Sequence, residues 1–337
     1  MDNKEYAVVF DTNTYRDFVK GKSQEEILSS VIRLKEAERN HQIVQYGILT
    51  VAREMLAHLA NTHSLDYMDC MNGIIAMSNH CFDVEYDDMA IIPPPGLHLI
   101  NSYFNDLITN EMIMTQKDTQ NILKNFKVDS KSAFEKYSAN GTFQSCKKFI
   151  DSNEEDFVNS IIETIEILEN EAIKEHQKQT NNEIDIANKR KKNNSKQIKR
   201  KILEIINNNE FKLRIAINLI QHITREIKHT ESVDETKNKA KSLLINFPIA
   251  IDFLVWITRI VVERDINLLN KSSRKKRWNW LWDYHVAFLI SHHTVDKREV
   301  LLVTRDSEMT IILGESGFNN RVMNLEKYKE LIGYKET

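Results

Sequence analysis

Apolar positions along this chain follow two different periods, and the change of period divides it. Near the ends lie short runs rich in Val, Ile, Tyr and Phe: AVVF from Ala7, IVQYGIL from Ile43, CFDVEY from Cys81 and EVLLVT from Glu299. The first, second and fourth lead into helical spacing, the pattern of βαβ units sharing a parallel sheet. NRVMNL, Asn320 to Leu325, reads as a last strand. The middle differs. Between Gly141 and Gly314 there is no glycine, and Pro248 is the only proline. Phe157, Ile161, Ile165, Leu168 and Ala172 recur at threes and fours, as do Leu213, Ile217, Ile220 and Ile227, which predicts long helices.

The chain therefore reads as an α/β domain built from both ends, residues 1–90 plus 271–337, with a helical insertion over 91–270. Pro93, Pro94, Pro95 and Gly96 mark the expected exit point. Its 337 residues are 41% hydrophobic, enough for one large core or two moderate ones. Cys70, Cys81 and Cys146 are odd in number and lack CxxC spacing, which argues against a disulfide framework or a structural zinc site and suggests a reducing compartment. The start, MDNKEYAVVF, has no basic region followed by a long apolar stretch, and no apolar run approaches the ~20 residues needed to cross a bilayer. These features predict a cytoplasmic protein with no membrane partner.

Candidate chemistry begins with acids that end strands. Asp11 follows AVVF directly and Asp306 follows the run ending at Thr304, so a parallel sheet would hold both at its carboxyl edge, where ligands bind. Each is equally good as a helix cap. In WNWLWDYHVAFLI, Asp283 shares a helical face with Trp280, Ala287 and Ile290, a face expected to point into the core. A buried carboxylate there needs a proton, a basic partner or a metal. Glu54, in ILTVAREMLAHL, falls about one turn into the helix after the second strand if Thr50 is the cap. Four clustered carboxylates would repel one another unless a cation neutralised them, and hard oxygen ligands select Mg²⁺ or Mn²⁺. Thr12, Asn13, Thr304 and Ser307 are auxiliary candidates for orienting the acids or a water, although turn and capping roles explain them equally. No HExxH or comparable spacing appears, and the adjacent His292 and His293 read as solvent-facing or core residues.

The set VVFDTN with Asp11, VAREM with Glu54, DYHVAFLI with Asp283 and LLVTRDSEM with Asp306 resembles the PIN-domain family, metal-dependent nucleases related to flap endonucleases. The resemblance covers roughly the first ninety and last sixty-odd residues. It implies a PIN-like twisted parallel sheet flanked by helices. It also implies one or two Mg²⁺ or Mn²⁺ ions on the four acids, activating water for phosphodiester hydrolysis. The helical insertion has no counterpart in the family pattern, so substrate and biological role do not follow from it.

Charge adds a partner class. The net charge of −3 conceals basic runs: Lys189, Arg190, Lys191 and Lys192 open one that continues to Lys201, and Arg274, Lys275, Lys276 and Arg277 lie shortly before Asp283. Clustered cations attract phosphate without reading sequence, although the first run suits a solvated or disordered loop equally well. Trp278, Trp280 and Trp282 interleave with the second cluster, where an exposed one could stack on a base. The function expected is an endoribonuclease, RNA being favoured by family frequency alone. The alternatives are a DNA or flap-type nuclease and a non-catalytic nucleic-acid-binding or assembly module. The amphipathic insertion leaves open a homo-oligomer, and the family leaves open an inhibitor or antitoxin-like protein.

Overall fold

The computed structural model describes residues 5–180, 190–270, 274–290 and 295–336, with side chains over 5–175, 196–270, 279–290 and 295–336. Two compact units emerge, Met1–Ser152 with His285–Thr337, and Asn153–Tyr284. The second lies within the first in sequence, as expected, but with other boundaries.

The first unit is α/β. Its strands are β1 (Tyr6–Phe10), β2 (Ile43–Ile48), β3 (Phe82–Asp83), β4 (Asp88–Met89), β5 (Ile91–Ile92), β6 (Glu299–Val303) and β7 (Val322–Met323). Its helices in chain order are α1 (Thr12–Val19), α2 (Gln24–Asn40), α3 (Leu49–His58), α4 (Tyr67–His80), α5 (Pro95–Tyr103), α6 (Asn110–Val128) and α7 (Ser130–Ala139). The chain leaves this unit within α8 (Thr142–Thr180). Five strands form one parallel sheet in the order β5-β2-β1-β6-β7. β1 and β6 sit at its centre, and Val8, Val9, Leu302 and Val303 are inaccessible to solvent, as befits a parallel sheet covered on both faces.

CFDVEY supplies β3, which pairs with β4 in a separate antiparallel hairpin. The outer strand beside β2 is β5, two residues paired with Gly47 and Ile48. The expected domain boundaries are corrected: the proline run is not an exit point, since Pro95 opens α5 within the same unit. The expected boundary at residue 91 moves to Asn153 because α6 buries Ile122, Leu123 and Phe126 and packs on α3 and α4. At the other end the boundary moves from 270 to Tyr284.

The second unit is helical: the remainder of α8, then α9 (Arg190–Ile206), α10 (Asn209–Glu226), α11 (Val233–Asn246), α12 (Pro248–Glu263) and most of α13 (Arg274–Ala287). α12 packs on α9, α10 and α11. The buried face of α10 is Phe211, Ile215, Ala216, Ile220 and Ile223, offset from the stripe expected from the sequence. Beyond β6, α14 (Ser307–Glu315) and α15 (Leu325–Leu331) complete the first unit. Among the described residues no single helix is long and apolar enough to cross a membrane.

Beneath β1 lies a buried polar network that no local pattern announces. His80 Nε2 sits 3.0 Å from both oxygens of Glu38, and Tyr328 donates its hydroxyl to Glu38 at 2.8 Å. The Tyr15 hydroxyl lies 3.1 Å from His80 Nδ1 and 3.2 Å from Cys81 Sγ. Phe10 roofs the group, its ring centroid 5.0 Å from that of His80. Burial pushes His80 down, but the charge and hydrogen bond of Glu38, together with Cys81, outweigh it and hold the imidazole up at about 9. α1, α2, α4 and α15 are thereby tied together through one ion pair.

Candidate functional site

Strand order defines where a ligand belongs. From β1 the chain builds outward to β2 and β5, then returns to the opposite side of β1 with β6 and β7. The order therefore reverses between β1 and β6, and the crevice outside their carboxyl ends is the expected binding position. Phe10 pairs with Val303 at that edge, so the residues next in line are Asp11 and Thr304.

Thr304 joins the two central acids. Its hydroxyl donates to Asp11 Oδ2 at 2.6 Å and accepts the backbone N–H of Asp306 at 3.0 Å. Asp11 and Asp306 also cap the helices that follow them: Asp11 Oδ1 accepts from the Thr14 N–H at 2.6 Å, and Asp306 Oδ1 accepts from the Met309 N–H at 2.7 Å. Thr14 turns its hydroxyl to the Val303 carbonyl at 2.7 Å, which stitches α1 to β6. Burial pushes the Asp11 carboxyl above its ordinary range; donors from Thr14 and Thr304 pull it back, and the charge of Asp306 adds to the rise. Neither Asp11 nor Asp306 makes an ion pair among the described residues.

Glu54 enters through a hydrogen bond. α3 begins at Leu49 with no side-chain cap, so the expected capping role of Thr50 is corrected: its hydroxyl is buried without a partner among the described residues. Glu54 stands on the second turn, half-buried, and Thr12 donates its hydroxyl to Glu54 Oε2. Asp11, Thr12, Glu54, Thr304 and Asp306 thus form two hydrogen-bonded groups, joined by the neighbouring positions of Asp11 and Thr12. Asn13 Oδ1 faces Arg305 at 3.5 Å, and Ser307 is the exposed first residue of α14.

Asp283 belongs to the helical unit. It is half-buried on α13, where Trp280 and Trp282 are buried, so its face is less inward than the spacing suggested. His285, further along α13, is held down at about 3 by burial. Lys189, His292, His293 and the side chains of Arg190, Lys191, Lys192, Arg274, Lys275, Lys276, Arg277 and Trp278 lie outside the described residues. Further along the first basic run, Lys199 pairs with Asp265 at 2.7 Å, Arg200 with Glu204 at 3.2 Å and Lys201 with Glu175 at 3.0 Å. Those cations already have intramolecular acceptors.

Two residues at the edge carry no signal that the spacing rules detect. Thr14 is an ordinary polar position in α1. Arg305 sits between Thr304 and Asp306 and grips Asp17 with one Nη at 2.9 and 3.0 Å from its two oxygens.

The donor set suits a hard divalent cation: the carboxylates of Asp11 and Asp306 lie close enough for one to raise the pKa of the other, and neither has a basic side chain in ion-pair contact among the described residues. Among those residues no group of three or more His, Cys, Asp and Glu side chains converges in metal-holding geometry. Mg²⁺ commonly takes one or two protein carboxylates and fills its remaining positions with water and phosphate, so Asp11 and Asp306 fit that requirement as a pair. Comparison with protein-family models, curated proteins and solved structures found no match to this chain.

Proposed function

We propose that the chain is a PIN-like, metal-dependent nuclease that hydrolyses phosphodiester bonds, with RNA the favoured substrate. The observation supporting it is the placement of Asp11 and Asp306 at the point of strand-order reversal, joined by the Thr304 hydroxyl.

In this proposal Asp11 and Asp306 hold Mg²⁺ or Mn²⁺, Thr304 fixes their separation, and Thr12 orients Glu54 as a further acid. When bound, the cation neutralises phosphodiester charge and polarises the attacking water. The protein supplies the anionic seat, keeps both acids in one rotamer through their capping bonds, and needs no side-chain nucleophile. Its raised pKa makes Asp11 the acid whose ionisation gates cation binding, so occupancy should fall as the solution is acidified.

The test is cleavage of mixed single-stranded RNA and DNA with Mn²⁺, Mg²⁺ or EDTA, with Asp11→Asn alongside. Metal-dependent cutting that the variant loses is expected. A folded wild type that cuts neither polymer under any of these conditions would count against it.

One observation favours a second reading. Both central acids are employed as helix caps, and Asp11 spends its other oxygen on Thr304. A non-catalytic nucleic-acid-binding module would use them in that way, and would bind polymer without cutting it.

A further inference from the structure

A cleft of about 640 Å³ opens in the α/β unit, lined by α3, α6, α7 and the first turns of α8. Asp11, Glu54 and Asp306 take no part in its walls. Its volume lies in the range that holds small-molecule ligands, and its lining is polar and apolar in nearly equal measure where such pockets are usually mostly apolar. Three cationic side chains, Arg53, Lys124 and Lys136, face a single lining carboxylate, Asp118.

Arg53 is the unusual member. It is half-buried, its guanidinium lies 4.6 Å from the Phe149 ring centroid, and Nε donates to the Thr119 hydroxyl at 3.1 Å. Nη2 reaches the Thr115 carbonyl at 3.5 Å, a long bond, and Nη1 has no acceptor among the described residues. No carboxylate stands within ion-pair distance among those residues; Asp118 acts on it only through space. Burial pulls Arg53 below its ordinary value, and its neighbours Cys146 and Asp118 restore part of it. A desolvated guanidinium without a paired anion is costly, and that cost is offset by an anion arriving from solution.

The other walls suit the same ligand. Lys136 is exposed and makes no ion pair among the described residues, its Nζ lying 5.2 Å from the Tyr137 ring centroid. Lys124 is engaged by Asp87 at 3.0 Å, so it contributes less. Asn125 donates to the Tyr137 hydroxyl at 2.5 Å and fixes that ring in the wall, while the Asn121 amide is exposed. A planar guanidinium with an open fork matches phosphate oxygens, and amide side chains match hydroxyls or a base.

We infer that this cleft binds a phosphate-bearing small molecule of about mononucleotide size, its phosphate taken by Arg53 with Lys136 adding charge. The site is independent of the sheet-edge acids.

The test is calorimetric titration of the full chain, in EDTA, with pyrophosphate and with adenosine monophosphate. Saturable binding is expected in the wild type and in Asp11→Asn. Arg53→Gln should weaken it by at least about tenfold, the usual scale for losing a charge-assisted hydrogen bond. Lys136→Ala should weaken it several-fold, and because that side chain is exposed the variant decides the matter even if Arg53→Gln fails to fold. No saturable binding of either probe at millimolar concentration overturns the inference, as does binding that Lys136→Ala leaves unchanged.

Discussion

Replacing Glu38 with Gln should remove a pH dependence of this protein's stability together with part of the stability itself. His80 is held at about 9 in the folded chain against an ordinary value of 6.5, a difference worth roughly 3 kcal/mol. The folded value is the higher one. Protonated His80 therefore stabilises the fold in full below about pH 6.5, and this contribution is lost as pH rises to about 9. Glu38→Gln removes the charge that contributes most to retaining the proton, leaving burial opposed only by Cys81, so the His80 value should drop. The Tyr328 donor still finds an acceptor in the amide oxygen, so the loss reports chiefly on the ion pair. Breaking one partner of a buried pair typically costs about 3–5 kcal/mol. Urea denaturation of both proteins at pH 6, 7, 8 and 9 reads the effect. The wild-type free energy should fall across that window, and the variant should be less stable at pH 6 but converge on wild type near pH 9. Parallel curves, or a variant as stable as wild type at pH 6, would refute the assignment of charge to His80.

Further outcomes follow from the same geometry. Thr304→Val should cost about 1–3 kcal/mol, because it strips Asp11 of one donor and leaves the Asp306 N–H without its acceptor; chemical denaturation measures it, and cleavage should fall with it. Gly47→Ala should cost about 1–3 kcal/mol, since an added Cβ would lie 2.5 Å from Ile91 Cδ1 and 2.6 Å from Met77 Cε, and a thermal melt would show it. Changing Arg274, Lys275, Lys276 and Arg277 together to Ala should weaken polynucleotide binding and reduce its salt slope by roughly 0.7–0.9 for each phosphate no longer neutralised, read from titrations at several salt concentrations.

Strand-end acids are legible in a sequence because the signal is local: an apolar run of strand length, then a carboxylate, then helical spacing. Asp11 and Asp306 satisfy it, and the short TRD turn fixes Thr304 between them. Their convergence needs only the reversal of strand order, which a parallel sheet built from both chain ends allows. What local spacing leaves hidden is tertiary. β5 is two residues long and is a strand only because Gly47 and Ile48 pair with it. The apolar spacing of α6 looks like that of the insertion, yet its face packs on α3 and α4. Glu38 lies in KEAERN, a polar helix end, and becomes buried because His80 and Tyr328 arrive from 42 and 290 residues away. Thr12 reaches Glu54 across 42 residues, which no spacing rule anticipates.

The central claim is that Asp11 and Asp306 seat a divalent cation and are more than helix caps. Calorimetric titration of Mn²⁺ into wild type, Asp11→Asn and Asp306→Asn tests it most directly, because Asn preserves the cap while removing the charge. The expected result is saturable binding by the wild type that both variants lose while keeping their melting temperatures within a few degrees. Wild-type protein that binds no Mn²⁺, or variants that bind it as tightly as wild type, would contradict the claim and leave the two acids as caps.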